Sequence, residues 1–583
     1  PLVPFALEEL VIHGACTERM WVWTRYSPGS GTGSPLLKYD LDLCDDQGSM
    51  LVQLKGLSVR PLELETLTGT KTEPASTLLL HKEWEERPAA FAHSLSGPDV
   101  KHLVVLSGQE AFDLAALRAN LDGAECVQFP HEEEGTAARY RRAAAALLEH
   151  LQRIGPSSPA ERLLIQLAVP NQGELRLYAG LFGMLKTMQL ENTALAVQLI
   201  ELEPGDSAGS LAYKLKQDST DLEYEHIRYE HGKRHVAIRQ AVDISGGDAP
   251  HSLPWKDGGV YLITGGAGGL GLIISREIAR SVNDPSIILA GRSELDKAKE
   301  AELDELRRSG TRVRYVKTDV SDFTEVCSLM NSIRSEYGTL NGIVHSAGLV
   351  RDRMLMHKTA AELQEVLAPK VDGLVHLDEA STGFPLDFVI AFSSAAGSLG
   401  NSGQADYAAA NAFMDAYAGF RNTLYQSGKR NGRMLSVGWP LWAEGGMRLE
   451  AQAETALLGS KGLIPLRTAS GIRALYRAWA AQKDHVLVLE GDAARMLDID
   501  KQHSATWEQQ TGAGADGTLA EIDVLHGFAV RYLTRLLAEV TKLPVSRIDD
   551  VTSLEEYGMD SIVAMQLTAE MEKGFGTLPK TLF

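Results

Sequence analysis

Polar and apolar residues alternate through Lys38-Tyr39-Asp40-Leu41-Asp42-Leu43, the period of a strand with one buried face. Asp45-Asp46-Gln47-Gly48 reads as a turn and Met50 to Arg60 as the returning strand. Residues 1–66 therefore predict a small β-rich piece, and the Thr-rich stretch Leu67 to Ser76 a linker. Between 77 and 248 the pattern changes. Short apolar runs at His102 to Ser107, Glu125 to Phe129, Leu163 to Ala168 and Ala194 to Ile200 predict buried strands, while Ala137 to Ile154 and Leu175 to Leu190 have helical spacing. Strands alternating with helices predict a parallel sheet with covering helices. Residues 249–500 repeat the alternation, which suggests a duplicated architecture rather than a short-period array. A stretch at 501–518, rich in Gly, Ala, Gln and Thr from Ala505 onward, reads as a flexible linker, and 519–583 as a short helical unit.

Composition narrows the class. Of 583 residues, 44% are hydrophobic and 23% charged, as in soluble globular proteins. At roughly 150 residues per domain the length allows about four domains. A net charge of −20 argues against nucleic acid and anionic membranes as partners. The four cysteines, Cys16, Cys44, Cys126 and Cys327, are far apart and form no CxxC pair. That pattern predicts no disulfide framework and no metal site, and a reduced, cytoplasmic setting. Pro1-Leu2-Val3-Pro4 carries neither a starting Met nor a signal pattern, so the chain is expected to be cut from a longer one. The charge-free stretch Gly258 to Ser275 holds seven glycines and makes a poor membrane helix.

The same stretch makes a good phosphate loop. Val260-Tyr261-Leu262-Ile263 is a buried-strand run feeding Thr264-Gly265-Gly266-Ala267-Gly268-Gly269-Leu270-Gly271, with helical sequence through Arg280. Glycines let backbone approach a pyrophosphate, and a helix N-terminus adds N–H donors and positive dipole. A merely flexible glycine loop has the same composition; the strand-loop-helix context separates the two readings. The first half, 77–248, carries no such loop and is expected to be structural. The next strand, Ser286 to Ala290, ends in Gly291-Arg292-Ser293. An acidic residue here would suit a ribose 2′-hydroxyl. Arginine suits a 2′-phosphate, hence NADPH, although alone it could be a solvated surface residue. Asp319-Val320 is expected to end the third strand beside the adenine.

Ketone reduction needs a hydride donor, a proton donor and a group that holds the carbonyl oxygen. Tyr407 and Asn411 are spaced i, i+4, so they share a helix face. Ser394 closes a predicted strand 13 residues earlier. A tyrosine of lowered pKa can give the proton and a serine can hydrogen-bond the oxygen. Lys370, in Pro369-Lys370-Val371-Asp372-Gly373, is the cation that would lower the tyrosine. Singly, each has a plain structural alternative: a turn serine, a core tyrosine, a solvated lysine. Together, downstream of a dinucleotide loop, they are specific.

Thr264-Gly-x-x-x-Gly269-x-Gly271, Ser394, Tyr407 and Asn411 resemble the short-chain dehydrogenase/reductases. Tyr-Ala-Ala-Ala-Asn, with Lys370 upstream of the serine, resembles the ketoreductases of modular polyketide synthases. The loop-less half, including Gly180-Leu-Phe-Gly-Met-Leu-Lys-Thr-Met-Gln-Leu-Glu191, resembles that family's structural subdomain. Gly438-Trp439-Pro440-Leu441-Trp442 and Val486-Leu-Val-Leu-Glu490 resemble synthases whose acyltransferase acts in trans. The fold implied is α/β, with a structural Rossmann-like subdomain at 77–248 and a catalytic one at 249–500. The activity implied is NADPH-dependent reduction of a carrier-bound β-ketoacyl thioester within a larger synthase, whose other domains are its partners. Ser346, Ala347 and Gly348 join the cofactor site by the same resemblance. Leu441 to Leu458 would form a lid. Asp352, Leu399, Gln404, Trp439 and Pro440 would face the substrate and set the hand. Asp352 kept in the loop after the fourth strand, and Leu399 where the opposite class carries Trp, imply a D-configured (B-type) alcohol.

The ends resemble neighbouring domains. Gly558-Met559-Asp560-Ser561 matches the acyl carrier signature, which implies 4′-phosphopantetheine on Ser561 in a truncated carrier. Residues 1–66 resemble the last, hotdog-like strands of a dehydratase, with His13 their only histidine and no dehydratase activity expected. The competing readings are a silent scaffold, a free-standing alcohol dehydrogenase, and a reductase that also epimerises the α-carbon.

Overall fold

The computed structural model describes residues 2–6, 9–14, 20–27, 37–61 except 46 and 48, and 76–497 except 90–99, 108–112, 122, 130–134, 155–161, 243–254 and 447–461. The expected linker, the carrier fragment with Ser561, and residues 447–458 of the expected lid lie outside the described residues. The chain divides into two compact units, Pro1–Ala75 and Ser76–Phe583.

The first unit is an antiparallel sheet of β1 (Leu2–Ala6), β2 (Glu9–Ile12), β3 (Trp21–Tyr26), β4 (Leu37–Cys44) and β5 (Met50–Pro61). Its order is β1-β5-β4-β3, with β2 also pairing β5. The alternation in β4 is real, but its faces are reversed. Asp40 and Asp42 are buried, while Leu41 and Leu43 are only partly so. Cross-strand partners make this tolerable. Asp40 accepts from the Ser27 hydroxyl at 2.6 Å and from Gly56 N at 3.0 Å. Asp42 pairs with Arg25 and accepts from Gln53 at 2.8 Å. Buried carboxylates persist only where such partners exist.

The second unit is built on one 14-stranded sheet. Its first half holds β6 (Ser76–Glu86), β7 (Val100–Leu106), β8 (Glu125–Gln128), β9 (Arg162–Pro170), β10 (Leu195–Leu202), β11 (His226–Glu230) and β12 (Lys233–Ala241). Its helices are α1 (Leu114–Asn120), α2 (Thr136–Ile154), α3 (Phe182–Glu191) and α4 (Ala208–Asp218). The helix expected over Leu175 to Leu190 is in fact a 3₁₀ segment, Gly173–Leu181, running into α3. The second half holds β13 (Val260–Thr264), β14 (Ser286–Gly291), β15 (Arg312–Lys317), β16 (Gly342–His345), β17 (Phe388–Ser394), β18 (Arg433–Trp439) and β19 (His485–Gly491). Its helices include α5 (Gly269–Ser281), α6 (Lys297–Arg308), α7 (Phe323–Tyr337), α8 (Ala360–Ala380), α9 (Ala395–Leu399) and α10 (Ala405–Gln426).

Seven strands of the second half run β15-β14-β13-β16-β17-β18-β19, all parallel. The order reverses between β13 and β16, and such a switch point opens a crevice at the strand ends. The halves meet through β6, which lies antiparallel between β19 and β12. They also share a helical core. Gly180 and Gly183 let α10 come close: a Cβ at Gly180 would sit 2.8 Å from Phe413 Cα, and one at Gly183 2.6 Å from the Ala408 oxygen. Buried Tyr140 then donates to the Ala409 oxygen at 2.9 Å.

Candidate active site

β13 is buried along its whole length and delivers the chain to the glycine loop. Gly265 has φ +66°, and a Cβ there would lie 2.8 Å from the Ser346 oxygen and 2.9 Å from Ala347 Cα. A Cβ at Gly271 would meet Gly266 Cα at 2.6 Å. Larger residues would push the loop off the strands, so these glycines are required by close approach. Gly268 caps α5 without a side chain, leaving that N-terminus open to an anion. Leu270 is half-buried, and the backbone of Gly445 lies where a Cβ at Gly269 would fall, at 2.5 Å. Thus the segment after Pro440 begins directly over the loop.

Arg292 follows β14, is exposed, and has no ion pair or hydrogen bond among the described residues. A free guanidinium there and a bare helix N-terminus fit a phosphate-bearing dinucleotide. Ser293 is exposed, and its carbonyl accepts from Tyr315 at 2.5 Å. Asp319 and Val320 do not end the third strand, because β15 stops at Lys317. Asp319 instead closes a local turn, accepting from Ser321 N at 2.9 Å and its hydroxyl at 2.6 Å. Val320 is buried. Ser346 donates from its hydroxyl to the Thr264 oxygen at 2.7 Å, tying the fourth strand to the glycine loop. Ala347 is half-buried, and Gly348 leaves room for Lys370, whose Cε would be 2.8 Å from a Cβ at that glycine.

The four catalytic candidates converge. Ser394 ends β17 and caps α9 by accepting from Ala396 N at 3.2 Å. Tyr407 stands in the first turn of α10, and the Asn411 amide one turn on donates to the Tyr407 backbone carbonyl at 2.7 Å. Asn411 Oδ1 is buried without a partner, an open acceptor inside the site. Lys370, on α8, is buried, places Nζ 5.5 Å from the Tyr407 ring centre and donates to the Phe392 oxygen at 3.0 Å. Burial pushes its ammonium down to about 7, with Asp415 acting the other way. The expected lowering of Tyr407 is not what the site does. Burial raises the phenol and Asp352 adds to the rise, while hydrogen bonds from Ser394 and Asn411 only oppose it. Lys370 engages a backbone carbonyl rather than the phenol, so its charge does not outweigh desolvation.

The expected substrate-facing residues divide. Gln404 donates to Asp352 Oδ1 at 2.8 Å, joining two of them. Arg351 and Arg353 pair with Glu365 and Glu362, not with Asp352. Leu399 packs beside a cluster with Leu80 and Leu489. Pro440 is half-buried. Trp439 belongs to the core: it is buried, edge-on to Phe392 and Trp442 at 5.6 and 5.0 Å. A cavity of about 880 Å³, lined by Trp84, Arg176 and Asp415 among others, includes none of the four catalytic candidates.

Two features escaped the sequence reading. Lys358 and Asp406 form a fully buried ion pair at 2.7 Å, and Asp406 also accepts from Tyr407 N at 2.8 Å. The signal available was a lone acid in the alanine-rich Ala405-Asp406-Tyr407-Ala408 run. His345 meets the Thr264 hydroxyl at 2.7 Å, and burial and Lys370 push it down to about 3, so it is neutral.

A glycine loop at the switch point of a parallel sheet, facing a Ser-Tyr-Lys-Asn set, defines the short-chain dehydrogenase/reductase class. The KR domain family matches residues 259–444, the phosphopantetheine attachment site family 531–583, and the polyketide synthase dehydratase N-terminal domain family 1–68. The crystal structure of a ketoreductase domain from the bacillaene assembly line is 41% identical, with TM-score 0.68, and covers 73% of this chain and 99% of that one. The chain therefore belongs to the ketoreductases of polyketide synthases. Polyketide synthases PksL and PksN of Bacillus subtilis (strain 168) are 41% and 40% identical over 100% and 96% of this chain. The chain spans only 13% and 10% of their lengths. Among the described residues no helix is long and apolar enough to cross a membrane.

Proposed function

We propose that this chain reduces the β-ketone of an acyl thioester carried by an acyl carrier protein, using NADPH and yielding a D-configured β-hydroxyacyl thioester. The observation that carries this reading is the convergence of Ser394, Tyr407, Lys370 and Asn411 beside the glycine loop. When bound, the cofactor supplies the hydride to the ketone carbon. Gly265, Gly266, Gly268 and the α5 N-terminus hold its pyrophosphate, and Arg292 its 2′-phosphate. Ser394 donates a hydrogen bond to the ketone oxygen. Tyr407 gives that oxygen its proton as the carbon gains the hydride, which completes the alcohol. Lys370 steadies the negative charge left on the phenol, and Asn411 holds the first turn of α10 in register. Ser561 bears the phosphopantetheine arm when the carrier is whole, and 77–248 and 249–500 act as structural and catalytic subdomains.

The test is incubation with NADPH and β-ketoacyl thioesters of pantetheine length, read by chiral chromatography. A predominantly D product is expected, from Asp352 and Leu399. A predominantly L product would overturn the hand and leave the reductase reading standing. No alcohol from any thioester would overturn the reading itself.

Cofactor choice gives a separate check. Arg292→Ala is expected to raise KM for NADPH by about tenfold, the scale of one lost charge-assisted hydrogen bond, and to leave NADH nearly unchanged. Equal losses with both cofactors would assign Arg292 to the structure of the β14 turn.

A further inference from the structure

The loops that carry Asp352 and Gln404 are held from the half without a glycine loop. Glu191, the last residue of α3, is buried, and its two oxygens divide between them. One accepts from Leu355 N at 2.8 Å and the other from Gly403 N at 2.8 Å. Leu355 lies three residues after Asp352, and Gly403 directly before Gln404. The loops also bond each other, from Arg353 N to the Gly403 oxygen at 2.8 Å and from Gln404 to Asp352 at 2.8 Å. Two more side chains of that half join in. Gln152 donates to the Leu355 and Lys358 oxygens at 2.8 and 2.7 Å. The Thr187 hydroxyl accepts from Asn401 N at 3.3 Å.

We propose that Glu191 is a positioning residue for stereocontrol: it clamps the two substrate-facing loops at a fixed separation and so sets which face of the ketone meets the hydride. The inference rests on the reductase reading above and does not depend on which hand prevails. A carboxylate suits the task because both of its ends accept. Such charge-assisted bonds to backbone N–H are short and directional. Burial raises the Glu191 acid, with the two N–H groups and Lys358 opposing the rise, so the carboxylate is kept at a cost that a mere filler would not carry. Through Asp352, whose charge already acts on Tyr407, a shift in either loop reaches the reacting centre.

Glu191→Gln keeps the shape but turns one end into a donor facing a donor. In the full chain it is expected to lower the ratio of major to minor hydroxyl configuration by about tenfold, the scale of one such bond. KM for NADPH should stay within about twofold of the wild-type value. Glu191→Asp, which still accepts at both ends, should restore part of the ratio. Tyr229→Phe removes a buried hydrogen bond to Asp218 in the same half and should lower thermal stability without moving the ratio. Should Glu191→Gln fold poorly, Gln152→Met, which frees only the Asp352 loop, should move the ratio in the same direction. An unchanged ratio with lower stability would overturn the clamp and leave Glu191 a structural residue. Were the wild type to reduce no β-keto thioester, the reductase reading would fail. The clamp would then be judged by amide exchange at Leu355 and Gly403: faster in Glu191→Gln supports it, unchanged overturns it.

Discussion

Tyr407→Phe is expected to lower kcat by about 10²-fold or more, the scale of positioned general-acid catalysis. The exchange removes one oxygen from a half-buried ring on the first turn of α10, so the fold should stand and cofactor binding should change little. The phenol is the acidic group that Ser394 and Asn411 approach together. Its raised pKa in the free site keeps it protonated at neutral pH, as a proton donor must be. Steady-state kinetics with a pantetheine-length β-ketothioester measures the loss. Turnover within a few-fold of wild type would remove Tyr407 from the chemistry and leave Ser394 or water as the donor.

Lys358→Met is expected to cost about 3–5 kcal/mol of stability, the penalty for orphaning a buried charge. Lys358 and Asp406 are both fully inaccessible to solvent, and Lys358 also donates to the Arg351 oxygen at 2.7 Å. Without the lysine, Asp406 keeps its hydrogen bond from Tyr407 N but no opposite charge. Burial already raises the Asp406 acid, and loss of the lysine raises it further. A carboxyl whose folded pKa lies above its unfolded value binds more protons when folded, so acidification favours the folded state. The deficit against wild type should therefore be largest at and above pH 7 and shrink towards pH 5. Denaturant unfolding across that range measures it. The pair Lys358→Met with Asp406→Leu should cost less than either single change, since no lone charge remains. A loss below about 1 kcal/mol, independent of pH, would place the pair among surface-like bridges.

Much of the site was legible because its parts are local. A strand, a glycine loop and a helix follow each other within Val260 to Arg280, so spacing alone predicts their geometry. Tyr407 and Asn411 fall on one helix face by the 3.6-residue period, and Ser394 ends a buried run. The faces of β4 were not legible. Alternation says which residues share a side, but partners such as Ser27 and Gln53, distant in sequence, decide which side is covered. β6 was missed as the joint of the sheet because Ser76 to Glu86 joins an apolar start to a charged end. Its neighbours β12 and β19 lie at the ends of the first and second halves, far from it in sequence.

The sequence by itself determined the class of fold, the strand-loop-helix of the glycine loop and which residue types the candidate site brings together, since each is written in residues close along the chain. Only the tertiary structure decided how those groups are held. It buried Trp439 in the core, set Lys370 against the Phe392 carbonyl, let burial rather than charge govern Tyr407, and brought Lys358 to Asp406 and Glu191 to two distant loops. Desolvation and long-range hydrogen bonding depend on what surrounds a group in three dimensions, and no local period encodes that.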